Sequence, residues 1–209
     1  MQENAIDIVT RAHLVVALFA YLLGSIPFGL VLTKLAGLGD IRDIGSGNVG
    51  ATNVLRTGNK PLALLTLLLD AGKGGIAALI AYHLYPGGDK GIDFAIIAGL
   101  AAVIGHNFPL WLRFEGGKGF ATTLGTLLAI SWQIGLAACV TWALIAAIFR
   151  YSSLAALVAL AASPFYAWFM GFEKVAVLAA LLAILGIFRH QENIRRLLKG
   201  EESKIGKKK

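Results

Sequence analysis

Residues 120–149 read FATTLGTLLAISWQIGLAACVTWALIAAIF, an apolar run without a single Asp, Glu, Lys, Arg or His. How it crosses a bilayer decides the fold. As one helix it would be about 45 Å long at 1.5 Å per residue, against a hydrocarbon core of about 30 Å. As two helices parted near Ser131–Gln133, each would be short. Charge decides between them, because Lys and Arg collect on the cytoplasmic side of membrane proteins. The basic tail from Arg189 onward belongs on that side. So do the loops carrying Arg42, Arg56 and Lys60, and Arg113 and Lys118. An even number of crossings must then separate Lys118 from Arg189, and only a split of 120–149 supplies one.

Working outward, the other apolar blocks are 14–38, 62–85, 94–112, 154–170 and 175–188. With the split, the chain is expected to be an all-α polytopic membrane protein of about seven transmembrane helices, N-terminus outside and C-terminus cytoplasmic. Composition agrees: 57% of residues are hydrophobic, 15% are charged and mean hydropathy is +0.72, whereas soluble domains average about 25% charged. Little chain is left for a soluble unit, so residues 1–209 read as one membrane-embedded domain. The first block runs on past Pro27 with no A-x-A site after it, and reads as a retained span. The net charge of +7 sits in short loops and the tail, which gives no reason to expect a nucleic-acid partner. Lys207 to Lys209 read as a solvated end.

The polar segments gather on one expected face. The first runs Gly45-Ser-Gly-Asn-Val-Gly-Ala-Thr-Asn-Val-Leu-Arg56. Glycines let backbone N–H groups converge on an anion, and a helix start adds partial positive charge. Ser46 brings a hydroxyl, Asn48 and Asn53 bring amides, and Arg56 brings a fork suited to phosphate. The other reading is a flexible connector with one interfacial arginine. The second segment, from Gly105 to Thr122, holds His106, Asn107 and the turn Gly116-Gly-Lys-Gly119 at the start of a helix. It is not a Walker A loop, because the G-x-x-x-x-G-K-[ST] spacing is absent. Lys118 is either a phosphate ligand or a snorkelling anchor. In the third segment, His190, Asn193 and Arg196 recur every three residues and share a helix face. From chemistry alone this segment reads as an amphipathic basic tail on anionic lipid. Asp70 and Lys73 lie inside the second apolar block. They form either a structural ion pair or a substrate contact.

In order and spacing these segments, with Leu23-Gly-Ser-Ile-Pro-Phe-Gly29, resemble the bacterial acyl-phosphate:glycerol-3-phosphate acyltransferases, over about residues 20–204. The resemblance implies a multi-span enzyme of the inner membrane. It would move a fatty acyl group from acyl phosphate to the sn-1 hydroxyl of glycerol-3-phosphate. The products would be 1-acyl-glycerol-3-phosphate (lysophosphatidic acid) and phosphate, in the first acylation of phospholipid synthesis. The family's essential serine and arginine fall on Ser46 and Arg56. Its glycine-rich glycerol-phosphate loop falls on Gly116, Gly117, Lys118 and Gly119. Its third motif falls on His190, Asn193 and a structural glutamate, Glu202. The implied partners are the two substrates and membrane lipid, with no cofactor. The H-x-x-x-x-D pattern of thioester-using acyltransferases is absent: Leu18, Gly88, Trp111 and Arg195 stand five residues after the four histidines.

Acyl phosphate is already activated, so the expected route is direct attack of the hydroxyl, helped by positioning and charge. Arg56, Lys118 and His190 are the groups on hand to carry that charge. Ser46 is expected to donate a hydrogen bond rather than act as nucleophile. The base is His190, His106 or a substrate phosphate oxygen. Carboxylates are few and scattered, so no metal site is expected. The rival reading, a transporter of an organic phosphate, would put polar motifs near the midplane and on both sides, often in internal repeats. The only echo of that kind is Gly72-Lys-Gly-Gly75 against Gly116-Gly-Lys-Gly119.

Overall fold

The computed structural model describes residues 2–206 and is helical throughout, with no strand among them. The expected end Lys207–Lys209 therefore lies outside the described residues. The helices are α1 (Gln2–Gly24), α2 (Phe28–Leu35), α3 (Ala51–Val54), α4 (Lys60–Leu84), α5 (Asp89–Asn107), α6 (Phe120–Ile130), α7 (Trp132–Phe149), α8 (Ser152–Phe169), α9 (Glu173–Arg189) and α10 (Gln191–Leu198).

The run 120–149 does divide. Ser131 takes an extended conformation between α6 and α7. Phe120 and Trp142, equally far in sequence on either side of Ser131, have ring centroids 6.4 Å apart. The two helices therefore run back along each other as a hairpin, as the charge argument required. Their lengths differ, however. α7 has 18 residues and α6 only 11, so α6 is about 16 Å long and falls well short of a bilayer core. Five stretches are long and apolar enough to cross: α1–α2 together, α4, α5, α7 and α8. The sixth is α9 with α10, bent by 63°. The expected seventh crossing, α6, is a half-length helix. With Phe120 level with Trp142, α6 starts about 10 Å below the end of α7, so the loop ahead of it is recessed.

The bundle is apolar outside and small or polar inside. Leu14, Leu18, Phe19, Leu68, Ile148, Phe165 and Ile184 are exposed, while Thr33, Thr66, Thr122, Thr126, Ser153 and Ser163 are buried. This suits a lipid solvent, where close packing and interhelical polar contacts hold helices together. α6 lies so close to α4 that a Cβ on Gly125 would sit 1.9 Å from the Ala71 carbonyl oxygen. Pro164 inside α8 leaves the Leu160 carbonyl without its usual donor, and Ser163 Oγ supplies one at 2.9 Å, as buried backbone in a membrane requires.

The connections separate into two ends. At one end Thr52 meets Ser152 (Oγ1–Oγ 3.4 Å), Ser153 meets Glu202, and Arg150 meets Ile205. At the other, Lys174 meets Asp89 and Asp93. All three polar segments picked out in the sequence lie at the first end.

Candidate active site

The first loop is built around one amide. Asn53 is buried, and its Nδ2 donates to the carbonyls of Ile41 (2.9 Å) and Ile44 (2.8 Å). Its Oδ1 accepts from Ser46 N at 3.1 Å, Ser46 Oγ at 3.4 Å and Arg56 Nη1 at 3.3 Å. Asn53 thus organises the loop and presents no free group. Asn48 Oδ1 accepts from Gly50 N at 3.1 Å, shaping the entry to α3. Arg56 is exposed, and its Nη2 donates to Ser203 Oγ at 2.5 Å.

The second loop hangs from the end of α5. Gly116 N donates to Asn107 O (3.2 Å) and Gly117 N to His106 O (3.0 Å). Those two N–H groups are therefore spent, and the glycine turn does not offer them to an anion. The donors without a partner are those from Lys118 into the first turn of α6, the ordinary orphans of a helix start. A Cβ on Gly117 would be 2.1 Å from His106 Nε2, so any side chain there would have to displace the buried His106 ring. Asn107 is fully buried, and its side-chain amide has no hydrogen-bond partner among the described residues.

The third segment closes over the second. Lys118 Nζ donates to Asn193 Oδ1, and Asn193 Nδ2 donates to Glu202 Oε1 at 2.7 Å. Glu202 also accepts from Ser153 Oγ (2.8 Å) and Arg196 Nε (2.7 Å). Burial works to raise the Glu202 carboxyl, but hydrogen bonds from Arg196, Asn193 and Ser153 outweigh it and hold the group below the usual carboxylate range. Burial, and then the Arg196 cation, bring the Lys118 amine down to about 8. His190 is buried at the bend between α9 and α10. Its Nδ1 pairs with the Gly186 carbonyl at 2.7 Å.

Between these segments opens a cleft of about 290 Å³, lined by Ser46, Gly47, Asn48, Gly116, Lys118, Phe188, Arg189, Gln191 and Glu192. Of the candidates from the sequence, Ser46, Asn48, Gly116 and Lys118 face it. Asn193 touches it through Lys118, while Arg56, Asn53, Arg196 and Glu202 brace its walls. Gly119 opens α6 with φ +75°. Asp70, Lys73 and His106 lie beneath the glycine turn as a buried cluster. Lys73 Nζ is 3.0 Å and His106 Nδ1 3.7 Å from Asp70 Oδ1, and Lys73 also donates to the Ile26 carbonyl at the α1–α2 break (2.8 Å). No group of three metal-ligating side chains exists among the described residues. Arg189 and Glu192 line the cleft although the sequence reading had not singled them out. An arginine ending an apolar helix looks like an interface anchor, and its contacts 72 and 73 residues away in sequence leave no local signal.

Comparison with known proteins agrees with this architecture. The family model for glycerol-3-phosphate acyltransferase matches residues 14–200. A glycerol-3-phosphate acyltransferase of Rhodospirillum rubrum is 63% identical over 198 residues, covering 93% of this chain and 92% of its own length. One from Paramagnetospirillum magneticum is 62% identical over 189 residues, covering 90% and 92%. Crystal structures of PlsY, an integral membrane glycerol 3-phosphate acyltransferase, superpose with a TM-score of 0.86 for the glycerol 3-phosphate form and 0.84 for the lysophosphatidic acid form. Identities are 43% and 42%, and each covers 93% of this chain, with 96% and 95% of the PlsY chains.

Proposed function

The chain belongs to the glycerol-3-phosphate acyltransferase family, and from that premise we propose that it uses acyl phosphate as donor and acylates glycerol-3-phosphate at the recessed cleft around Lys118. Acyltransfer to glycerol-3-phosphate is the activity; the products under this reading are lysophosphatidic acid and inorganic phosphate. The single observation that carries the reading is a cleft lined by two cations, Lys118 and Arg189, and a serine hydroxyl, set below the end of α7. There a phosphorylated headgroup can enter from water while an acyl chain stays in lipid. The site end faces the cytoplasm under this reading, in a bacterial inner membrane, with residues 1–209 working as one membrane-embedded domain.

The route is direct attack. The sn-1 hydroxyl oxygen bonds to the acyl carbon, and the acyl–phosphate C–O bond breaks. The hydroxyl proton passes to a phosphate oxygen, since neither His190 nor His106 lines the cleft. Lys118 neutralises the gathering negative charge. Ser46 donates a hydrogen bond: its Oγ is aimed at Asn53, which is no base, so nothing activates it as a nucleophile. The test mixes purified protein with acyl phosphate alone and then with both substrates. Phosphate release only with both supports the reading. A stoichiometric burst from acyl phosphate alone, or an acyl group trapped on Ser46 by mass spectrometry, overturns direct attack. No release under either condition overturns the donor.

A further inference from the structure

The glycine turn has no side chain of its own to hold it, yet it aims Lys118 and starts α6. Its N–H groups are fixed by the end of α5, which leaves the carbonyls of Gly116 and Gly117. Both go to one residue. Arg189 Nη2 donates to Gly116 O at 2.9 Å and Arg189 Nε to Gly117 O at 3.1 Å. The guanidinium carbon lies 5.1 Å from the centroid of the Phe108 ring, within the range of a cation–π contact. Among the described residues no carboxylate forms an ion pair with Arg189. Arg189 is the last residue of α9, immediately before the bend into α10 that carries Asn193, the partner of Lys118. One side chain thus ties the turn bearing Lys118 to the segment that receives Lys118.

We infer that Arg189 is a positioning residue for glycerol-3-phosphate: its fork clamps the Gly116 and Gly117 carbonyls and so fixes where the Lys118 amine meets the substrate phosphate. This rests on the reading of the cleft given above. The two donors of the fork match two consecutive carbonyls, a task a point charge cannot repeat. The inference separates geometry from charge. A residue acting through Lys118 has little left to do once Lys118 is gone. A residue contacting substrate independently, or merely holding the fold, adds its effect to any other.

The test is a double-mutant cycle on Arg189→Ala and Lys118→Ala. It is run both on turnover with acyl phosphate and glycerol-3-phosphate and on glycerol-3-phosphate binding by calorimetry. Arg189→Ala is expected to lower kcat/KM for glycerol-3-phosphate by about 10²-fold, the scale for one misplaced phosphate or oxyanion donor, and to weaken binding. Arg189→Lys is expected to recover less than a tenth of the loss. The double variant is expected to be no worse than Lys118→Ala alone. Additive losses, or full activity in Arg189→Lys, overturn the inference. If Arg189→Ala does not fold, Arg189→Lys carries the cycle with the same criteria. A failure of the donor assignment silences wild-type turnover but leaves the binding arm intact, so the two errors are told apart.

Discussion

The two ends of the bundle use the same kind of contact to different effect. At the site end, Glu202 accepts from Arg196, Asn193 and Ser153 at 2.7 to 2.8 Å. Beneath the glycine turn lies the Asp70–Lys73 pair, whose side chains are 3% and 1% exposed. At the far end, Lys174 meets Asp93 at 2.8 Å with both side chains about half exposed. Contact length does not distinguish them; solvent does. Water and salt screen the far pair, so its removal costs little. At the site end, removing one partner strands a charge or a polar group without water to replace it. The lesson is that a charged contact matters here according to what its partner would be left with.

The sharpest way to break the comparison is Asp70→Ala. It leaves the Lys73 ammonium buried with the Ile26 carbonyl and the Phe28 ring but no counter-charge in contact, and a stranded buried charge costs about 3–5 kcal/mol. The measurement is thermal unfolding in detergent. Replacing both, as Asp70→Leu with Lys73→Met, is expected to recover most of the loss, because an apolar pair of similar volume removes the stranded charge. A mild effect of the single change would erase the contrast with the far end.

Lys118→Ala is next, at about 10²- to 10³-fold in turnover, or about 2.7–4 kcal/mol of transition-state stabilisation. Acidity sharpens it. The free amine is held down to about 8 by burial and then by Arg196, so the ammonium is present below that pH and lost above it. kcat/KM, which reports the free enzyme, is expected to fall as pH rises through about 8. Lys118→Arg keeps its charge at those pH values and is expected to lack that limb, whatever its absolute rate.

Glu202→Gln is a smaller change. It removes the charge that Arg196 and Asn193 point at while keeping the side chain's shape. Hydrogen bonds to a charged group are worth about 1.5–3 kcal/mol. A lower melting temperature is expected, with a loss of turnover smaller than in Lys118→Ala. Loss of turnover equal to Lys118→Ala, without a change in melting, would move Glu202 from the wall into the chemistry.

The helical architecture was legible because apolar runs and loop charges carry it, and the parity of basic loops required the break that falls at Ser131, inside the expected 131–133. That a split would leave short helices was legible; that α6 falls short of a crossing while α7 is long enough for one was not. Phe120–Ile130 and Trp132–Phe149 are equally apolar, and only packing under α4 and α5 decides where a helix stops mattering to lipid. In the site, the spacing that put Ser46, Asn48, Gly116 and Lys118 in polar loops was enough to find the cleft. It did not separate the residues facing the cleft from Asn53, which faces its own loop and Arg56, or from Glu202 and Arg196, which face each other. Nor did it reveal that the Gly116 and Gly117 N–H groups are used internally, because such bonds depend on where α5 ends in space.

The least disruptive change tests the other half of the comparison. Lys174→Ala removes the basic residue that bridges Asp89 and Asp93 at the far end. What remains are two carboxylates that water can solvate in place, since Asp89 is 94% and Asp93 47% exposed. No polar group is stranded and no cavity opens, so neither melting temperature nor turnover is expected to change measurably. Raising salt should likewise leave the wild type's stability unaltered, because the contacts holding the site end are shielded from ions and the exposed pair contributes too little to register. A clear drop in melting for Lys174→Ala would mean that the clamp between the 84–93 and 171–174 connections does hold α5 against α9. In that case burial would not be what divides the two ends, and the ordering from Asp70 down to Lys174 would have to be rebuilt on helix packing instead.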